Sequence, residues 1–301
     1  MSPALEYLPA EESFLDPVRA DAHDPGAARA VVIPFGLEAS VSYGAGTAAG
    51  PAAILKASQQ LELFDDELQC EPYLSYGVAA LRAPRIAAPI EAALDQLAGI
   101  VETVLAAGKF PFVLGGEHSL SAGAVRPFVA RHPDLVVLQL DAHADLRDGY
   151  LGERYSHAAA MRRILDFPGV SLVSIGIRAI SAAEVDFYAA NRDRITMHWA
   201  KDQASWDIDA IVAPLRDRPL YVTFDVDALD ASLMPATGTP TPGGLSYAQA
   251  LSILRQSCRA GRVVGADLVE FAPVAGLHAC DYSVAALAYK ILSYALGAPV
   301  R

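Results

Sequence analysis

Six apolar runs punctuate the chain: ARAVVIPFG (28–36), KFPFVLGG (109–116), DLVVLQLD (134–141), VSLVSIGIR (170–178), RPLYVTFDVD (218–227) and GRVVGADLVEF (261–271). Each is bounded by Gly, Pro or charged residues, and each has the length of a buried strand. Helix-length segments lie between them. PIEAALDQLAGIVETVLAAG (89–108) carries helical apolar spacing and closes on Gly108. GPAAILKASQQL (50–61) opens with Pro51, which a first helical turn tolerates, and SYAQALSILRQSCRAG (246–261) opens on the capping-type Ser246. The alternation predicts an α/β fold with a largely parallel sheet and helices on both faces. No linker or break in composition divides the chain, so residues 1–301 read as one domain, with a flexible N-terminal segment over 1–28.

Composition sharpens this reading. With 53% hydrophobic and 19% charged residues over 301 positions, a large core is affordable and disorder is not expected. A formal charge of -12 argues against nucleic acid and favours cationic ligands, although a solvated acidic surface would give the same sum. No apolar run reaches the ~18 residues of a membrane span. The start, MSPALEYLPAEESFLDP, lacks a basic and apolar leader, so a cytoplasmic protein with no membrane partner is expected. Cys70, Cys258 and Cys280 are far apart and without a CxxC pair, so they read as reduced, mostly buried thiols. His23 and His132 sit in polar, Pro-containing segments and read as surface residues; His198 and His278 have no assignment.

The polar clusters that follow three of these runs carry the chemistry. In DAHAD, residues Asp141, His143 and Asp145 recur at every second position, and would share one side if the strand stayed extended to its end. DVD places Asp225 and Asp227 in the same relation, and GGEHS supplies His118 after a glycine pair. A carboxylate at a strand end is often a turn former, and a lone histidine after a tight turn is often structural. Carboxylates gathered beside imidazole are different, because they repel unless a cation neutralises them. Four aspartates and two histidines match two divalent cations. Mostly oxygen donors with some imidazole and no thiolate suit Mn²⁺; zinc, nickel and iron are also compatible. Two ions roughly 3.5 Å apart can share and activate a water.

These motifs resemble those of the ureohydrolases, the family of arginase, agmatinase and related guanidino hydrolases. The resemblance rests on GGEHS, DAHAD, YSHAAAMRR, DVDALDASLMPATGTPTPGGLSY and GADLVEFAP, in the family's order, with SYGAGTAAGPAAI similar to its early loop-to-helix segment. It implies a three-layer αβα fold around a mainly parallel sheet, a binuclear manganese centre, and a homotrimer or homohexamer. By motif position, His118 and Asp145 would serve one ion and His143 and Asp227 the other, with Asp141 and Asp225 bridging. His157 takes the place of the proton-transfer histidine, and Glu270 that of the carboxylate receiving the guanidinium. The implied reaction cleaves a small cationic guanidino substrate to urea and an amine, with agmatine to putrescine first. Aminopropylagmatine to spermidine is the alternative, followed by arginase, guanidinobutyrase or formiminoglutamase activity.

Two places depart from the family pattern. Asp230 is followed by Ala231 rather than Pro, and Pro235 by Ala236 rather than Gly, which bears on the adjoining loop and substrate fit. Where arginases carry an Asn and a Ser that help bind the amino-acid carboxylate, this chain has Arg147 and Glu153. Glu153 would attract an ammonium group, which favours a guanidino amine over arginine; Arg147 pulls the other way if it faces the pocket. A deacetylase-like hydrolase is disfavoured by the absence of an adjacent histidine pair. A noncatalytic regulatory member is disfavoured because no ligand or proton-transfer residue is missing.

Overall fold

The computed structural model describes residues 5–19, 21 and 24–297. Eight strands, β1 (Ala30–Phe35), β2 (Val78–Ala80), β3 (Phe110–Gly115), β4 (Val136–Leu140), β5 (Ser171–Ile177), β6 (Ile195–Trp199), β7 (Pro219–Asp225) and β8 (Arg262–Val269), form one sheet in the order β2-β1-β3-β8-β7-β4-β5-β6. Every pairing is parallel. All six predicted strands are present. The two strands without a distinct apolar run, β2 and β6, are the two edges.

Alternation along each strand feeds two separate cores. Val32, Leu138, Val222 and Phe224 pack with the helices Gly50–Ser58, Tyr247–Ala260 and His278–Leu296. Their neighbours Val31, Val137 and Tyr221 pack instead with Ile90–Ala106, Ser121–Val129 and Ala160–Leu165. This is the three-layer arrangement expected. Helix ends follow local chemistry: Ser246 and Gln249 close a reciprocal capping box, worth about 1 kcal/mol. The helix ending at Ala106 is followed by Gly108 at φ 72, where a side chain would be strained.

The segment before residue 28 differs from expectation. Phe14 and Leu15 are fully buried and Arg19 donates to Phe14 O, so the stretch 5–19 is packed rather than loose. The reason is its own apolar pair, whose burial offsets the entropy of ordering it. His23 lies outside the described residues. All three cysteines are free, Cys280 buried and Cys70 and Cys258 half-buried. Among the described residues, no helix is long and apolar enough to cross a membrane.

Candidate active site

The carboxyl ends of four neighbouring central strands, β3, β8, β7 and β4, converge, which is where open parallel sheets place ligand sites. His118 follows β3, Asp141 to Asp145 follow β4, Asp225 ends β7, and Glu270 follows β8. The DAHAD segment is not an extended strand. β4 stops at Leu140 and Asp145 has φ 52, so a turn, not strand alternation, gathers its three ligands.

Three carboxylate oxygens surround one ring nitrogen. His118 Nδ1 lies 3.1 Å from Asp141 Oδ2, 3.1 Å from Asp145 Oδ2 and 3.3 Å from Asp225 Oδ2. None of them meets hydrogen-bond geometry, so the buried nitrogen has no hydrogen-bond partner. Two donors about 2.1 Å from a common ion and at right angles to it sit about 3 Å apart, so this spacing is that of atoms sharing a cation. His143 Nδ1 forms a second group, 3.0 Å from Asp227 Oδ2 and 3.7 Å from Asp141 Oδ1. The triads His118–Asp141–Asp145 and Asp141–His143–Asp227 thus share Asp141.

Electrostatics lead to the same conclusion. Asp141, Asp145, Asp225 and Asp227 are all buried, and even two protonated imidazoles would leave them undercompensated. Two like charges 4 Å apart repel by about 4 kcal/mol at an effective dielectric of 20, and burial adds several more per ion. Burial would strip the proton from His118, but Asp141, Asp145 and Asp225 outweigh it and push its pKa well above that of free imidazole. His143 is likewise pushed up to about 12 against its burial by Asp141 and Asp227. Burial, reinforced by Asp227 and Asp141, raises Asp225 well above the carboxylate range. Protons are thus drawn to the place where a divalent cation fits.

Backbone and outer groups hold these carboxylates. Asp141 Oδ1 accepts from His143 N (2.6 Å), Asp225 Oδ1 from Asp227 N (2.8 Å) and Asp227 Oδ1 from Ala142 N (3.0 Å). Buried Gln139 donates to Asp141 Oδ2 at 2.7 Å and accepts from Ser174, while His118 Nε2 contacts Thr223 Oγ1 at 2.9 Å. Arg178 donates to the carbonyls of Asp227 and Thr241, tying the loop after β7 to the end of β5. Such outer partners leave little trace in one sequence, because polar residues inside an apolar strand are the only signal.

A cavity of about 210 Å³ opens onto the cluster, and its wall includes His143, Asp145, Asp225, Asp227, His157 and Glu270. Glu270 sits at φ 64, an uncommon backbone conformation for glutamate, and its Oε1 accepts from His118 N at 2.6 Å. Burial pushes its carboxyl up to about 8. The two residues expected at the substrate's far end part company. Arg147 is in the wall, its guanidinium 4.8 Å from the Tyr150 ring centroid and 3.8 Å from Glu184. Glu153 is not in the wall: its Oε1 accepts from Tyr155 N at 2.8 Å, and only its backbone pairing with Tyr150 links it to the cavity. The pairing of 150 with 153 turns the Glu153 side chain back on its own loop, whereas sequence position alone had placed it beside the substrate. The wall residues Ser42, Tyr43 and Gly44 lie in the glycine-rich early segment, which was legible as a motif without an assigned role.

The model of the arginase family matches residues 28–297. The chain belongs to the arginase family. Among the family's members, the N(1)-aminopropylagmatine ureohydrolase of Synechocystis sp. is 36% identical over 280 residues, covering 89% of each chain. The agmatinase of Bacillus subtilis is 34% identical over 255 residues, 82% of this chain and 84% of that one. The solved agmatine ureohydrolase of Thermoplasma volcanium superposes with a TM-score of 0.82 at 30% identity, covering 92% of this chain and 93% of its own. The protein is therefore an arginase-family hydrolase, and the His/Asp cluster is its metal-binding site.

Proposed function

We propose that the protein hydrolyses a guanidino amine to urea and the free amine at a centre of two Mn²⁺ ions, with agmatine, giving putrescine, as the first substrate. The observation carrying this reading is the buried cluster of four aspartates and two histidines opening onto a cavity that also holds Glu270 and His157. His118 and Asp145 would hold one ion, His143 and Asp227 the other, with Asp141 and Asp225 shared. Bound there, the metal pair supplies Lewis-acid activation of the attacking water.

This chain's residues do the rest. With Oε1 committed to His118 N, Glu270 has Oε2 left for the guanidinium, through charge-assisted hydrogen bonds that fix its orientation. Its raised pKa suits that task, since the arrival of a cation reverses the push of burial and favours the carboxylate. Water adds to the guanidino carbon, the bond from that carbon to the alkylated nitrogen breaks, and the departing nitrogen gains a proton. His157, in the same wall, is the group to deliver it, since a ring with two nitrogens can give a proton from one and hold a partner with the other.

With Asp145, Asp225 and Asp227 given to the metal pair, Glu270 is the wall carboxylate left to meet a cation, and Arg147 is engaged by Tyr150 and Glu184, so a positively charged guanidinium substrate is favoured. The similarity to the Synechocystis enzyme supports aminopropylagmatine, giving spermidine, as the second reading. A homotrimer or homohexamer is the proposed assembly, and sedimentation as a monomer would contradict it. The substrate test is urea release by Mn-loaded protein from agmatine, aminopropylagmatine, arginine, guanidinobutyrate and formiminoglutamate. The two amines should give the highest kcat/KM. A preference for arginine or guanidinobutyrate would overturn the cationic reading, and Arg147 would then be the first residue to examine.

A further inference from the structure

Glu117, the residue before His118, is fully buried. Four donors converge on it: Ala39 N (2.7 Å), Ser40 N (2.6 Å), Ser40 Oγ (2.7 Å) and Ser119 Oγ (2.6 Å). The loop carrying Ser40 is pressed against this turn. Gly116 N donates to Phe35 O and Glu117 N to Leu37 O, and a side chain at Gly116 would meet Leu37 O at 2.0 Å. Ser40 in turn reaches His157: its Oγ accepts from His157 N at 2.9 Å and lies 3.2 Å from His157 Nδ1.

The hydrogen-bonding capacity of one hydroxyl decides the direction of the last contact. A serine has one proton to give and two lone pairs. The carboxylate of Glu117 can only accept, so the Ser40 proton goes there. Both lone pairs of Ser40 are then acceptors, one for His157 N–H and one for the ring, which requires the ring proton on Nδ1. Nε2 is left as the free nitrogen of a residue that lines the cavity.

We infer that Ser40, oriented by Glu117, is a positioning residue that holds His157 in its Nδ1-protonated tautomer and so presents Nε2 for proton transfer. This rests on the proton-transfer role proposed for His157. The same short turn after β3 thus orients three functional groups: the His118 ring, Glu270 through His118 N–H, and His157 through Glu117 and Ser40. Loss of the Ser40 hydroxyl leaves Ser156, whose Oγ is 3.4 Å from Nδ1 and can donate to it, favouring the opposite tautomer.

The test is a double-mutant cycle on metal-loaded enzyme, reading kcat, KM and bound metal. Ser40→Ala should lower kcat roughly 10- to 100-fold, the range for losing a partner that orients a functional histidine, with KM within about threefold and metal content unchanged. Ser40→Thr, which restores a hydroxyl, should recover most of the loss. In the His157→Ala background, Ser40→Ala should have no further effect, because the group it positions is gone. If His157→Ala were impaired while Ser40→Ala was not, or if the Ser40→Ala loss persisted undiminished in that background, the positioning role would be overturned and the role of His157 would stand. Wild-type turnover in His157→Ala would overturn both.

Discussion

At the floor of the cavity, Asp141, Asp225 and Asp227 are at most 3% exposed and each accepts a backbone N–H from the turn that carries a neighbouring ligand. At its mouth, Tyr43 is 86% exposed and the Arg147 side chain 38%, the latter held by the Tyr150 ring of its own loop and by Glu184 in the first turn of the helix Ala182–Ala190. The floor is built by the ends of adjacent strands, whose spacing the sheet's hydrogen bonds dictate. The mouth is built by three loops, 41–44, 147–158 and 238–239, whose shape depends on their contacts with one another. The Asp/His cluster and Glu270 are thus placed by strand ends, whereas His157, Arg147 and Tyr43 are placed by the segments around the mouth, so substitutions in the two regions should differ in kind as well as size.

The largest effect should come from the floor. Asp141→Asn removes the carboxylate shared by both ligand triads, and should abolish measurable urea release, a loss of at least about three orders of magnitude, with most of the bound metal. His143→Asn should lose less metal, because His143 belongs to one triad only. Equal metal loss in the two variants, measured by elemental analysis, would mean that Asp141 is not shared.

The floor also dictates a pH response. In the metal-free protein, His118, His143, Asp145, Asp225 and Glu270 all have folded pKa values above their ordinary ones. The stability tied to such groups is complete below the unfolded pKa and is lost as pH rises through the folded one. For Glu270 that window runs from 4.5 to about 8. Asp141, held below the carboxylate range by His118 and His143 despite its burial, has its window at more acid pH. The Tm of chelated protein should therefore fall between pH 5 and 8. Mn²⁺ displaces the ring protons, so the Tm rise it produces should grow over the same interval. A metal-induced rise that shrank with pH would contradict this assignment of protons.

Glu270→Gln stands between floor and mouth. It keeps the shape but gives up the charge-assisted contact, worth about 1.5–3 kcal/mol, so kcat/KM should fall roughly 10- to 100-fold with metals retained. Unchanged kinetics would assign the guanidinium to another group. The smallest effect belongs to the mouth. Tyr43→Ala should raise KM about threefold to tenfold, more for aminopropylagmatine than for agmatine, at nearly constant kcat. Glu153→Ser should alter the ratio of the two substrates less than Tyr43→Ala does, since Glu153 is outside the wall; the reverse order would restore it as a specificity residue.

The same division explains what was legible in the sequence. The six inner strands show as continuous apolar runs because both of their faces are covered. Edge strand β2 has three residues, and β6 alternates buried and exposed positions at its start, so neither stood out. The ligands were legible as residues through their motifs, but the geometry first suggested for DAHAD was not the one adopted, since a left-handed residue at 145 completes the cluster. Glu117 was visible only as a letter inside GGEHS, and Ser40 lies outside every motif. The contact of Ser40 with His157 crosses 117 positions along the chain, a relation that no local periodicity encodes. Glu153 makes the complementary point, as closeness in sequence to His157 did not put its side chain in the wall.

The central claim is that the buried Asp/His cluster holds two catalytic Mn²⁺ ions that act on a guanidino amine. Its most direct test is a titration of chelator-stripped protein with Mn²⁺, following bound metal and urea release from agmatine together. Activity should be absent without metal and should rise to saturation at two equivalents per chain. Full activity in protein free of transition metal, saturation at a single equivalent, or two bound ions with no urea from either agmatine or aminopropylagmatine would contradict it.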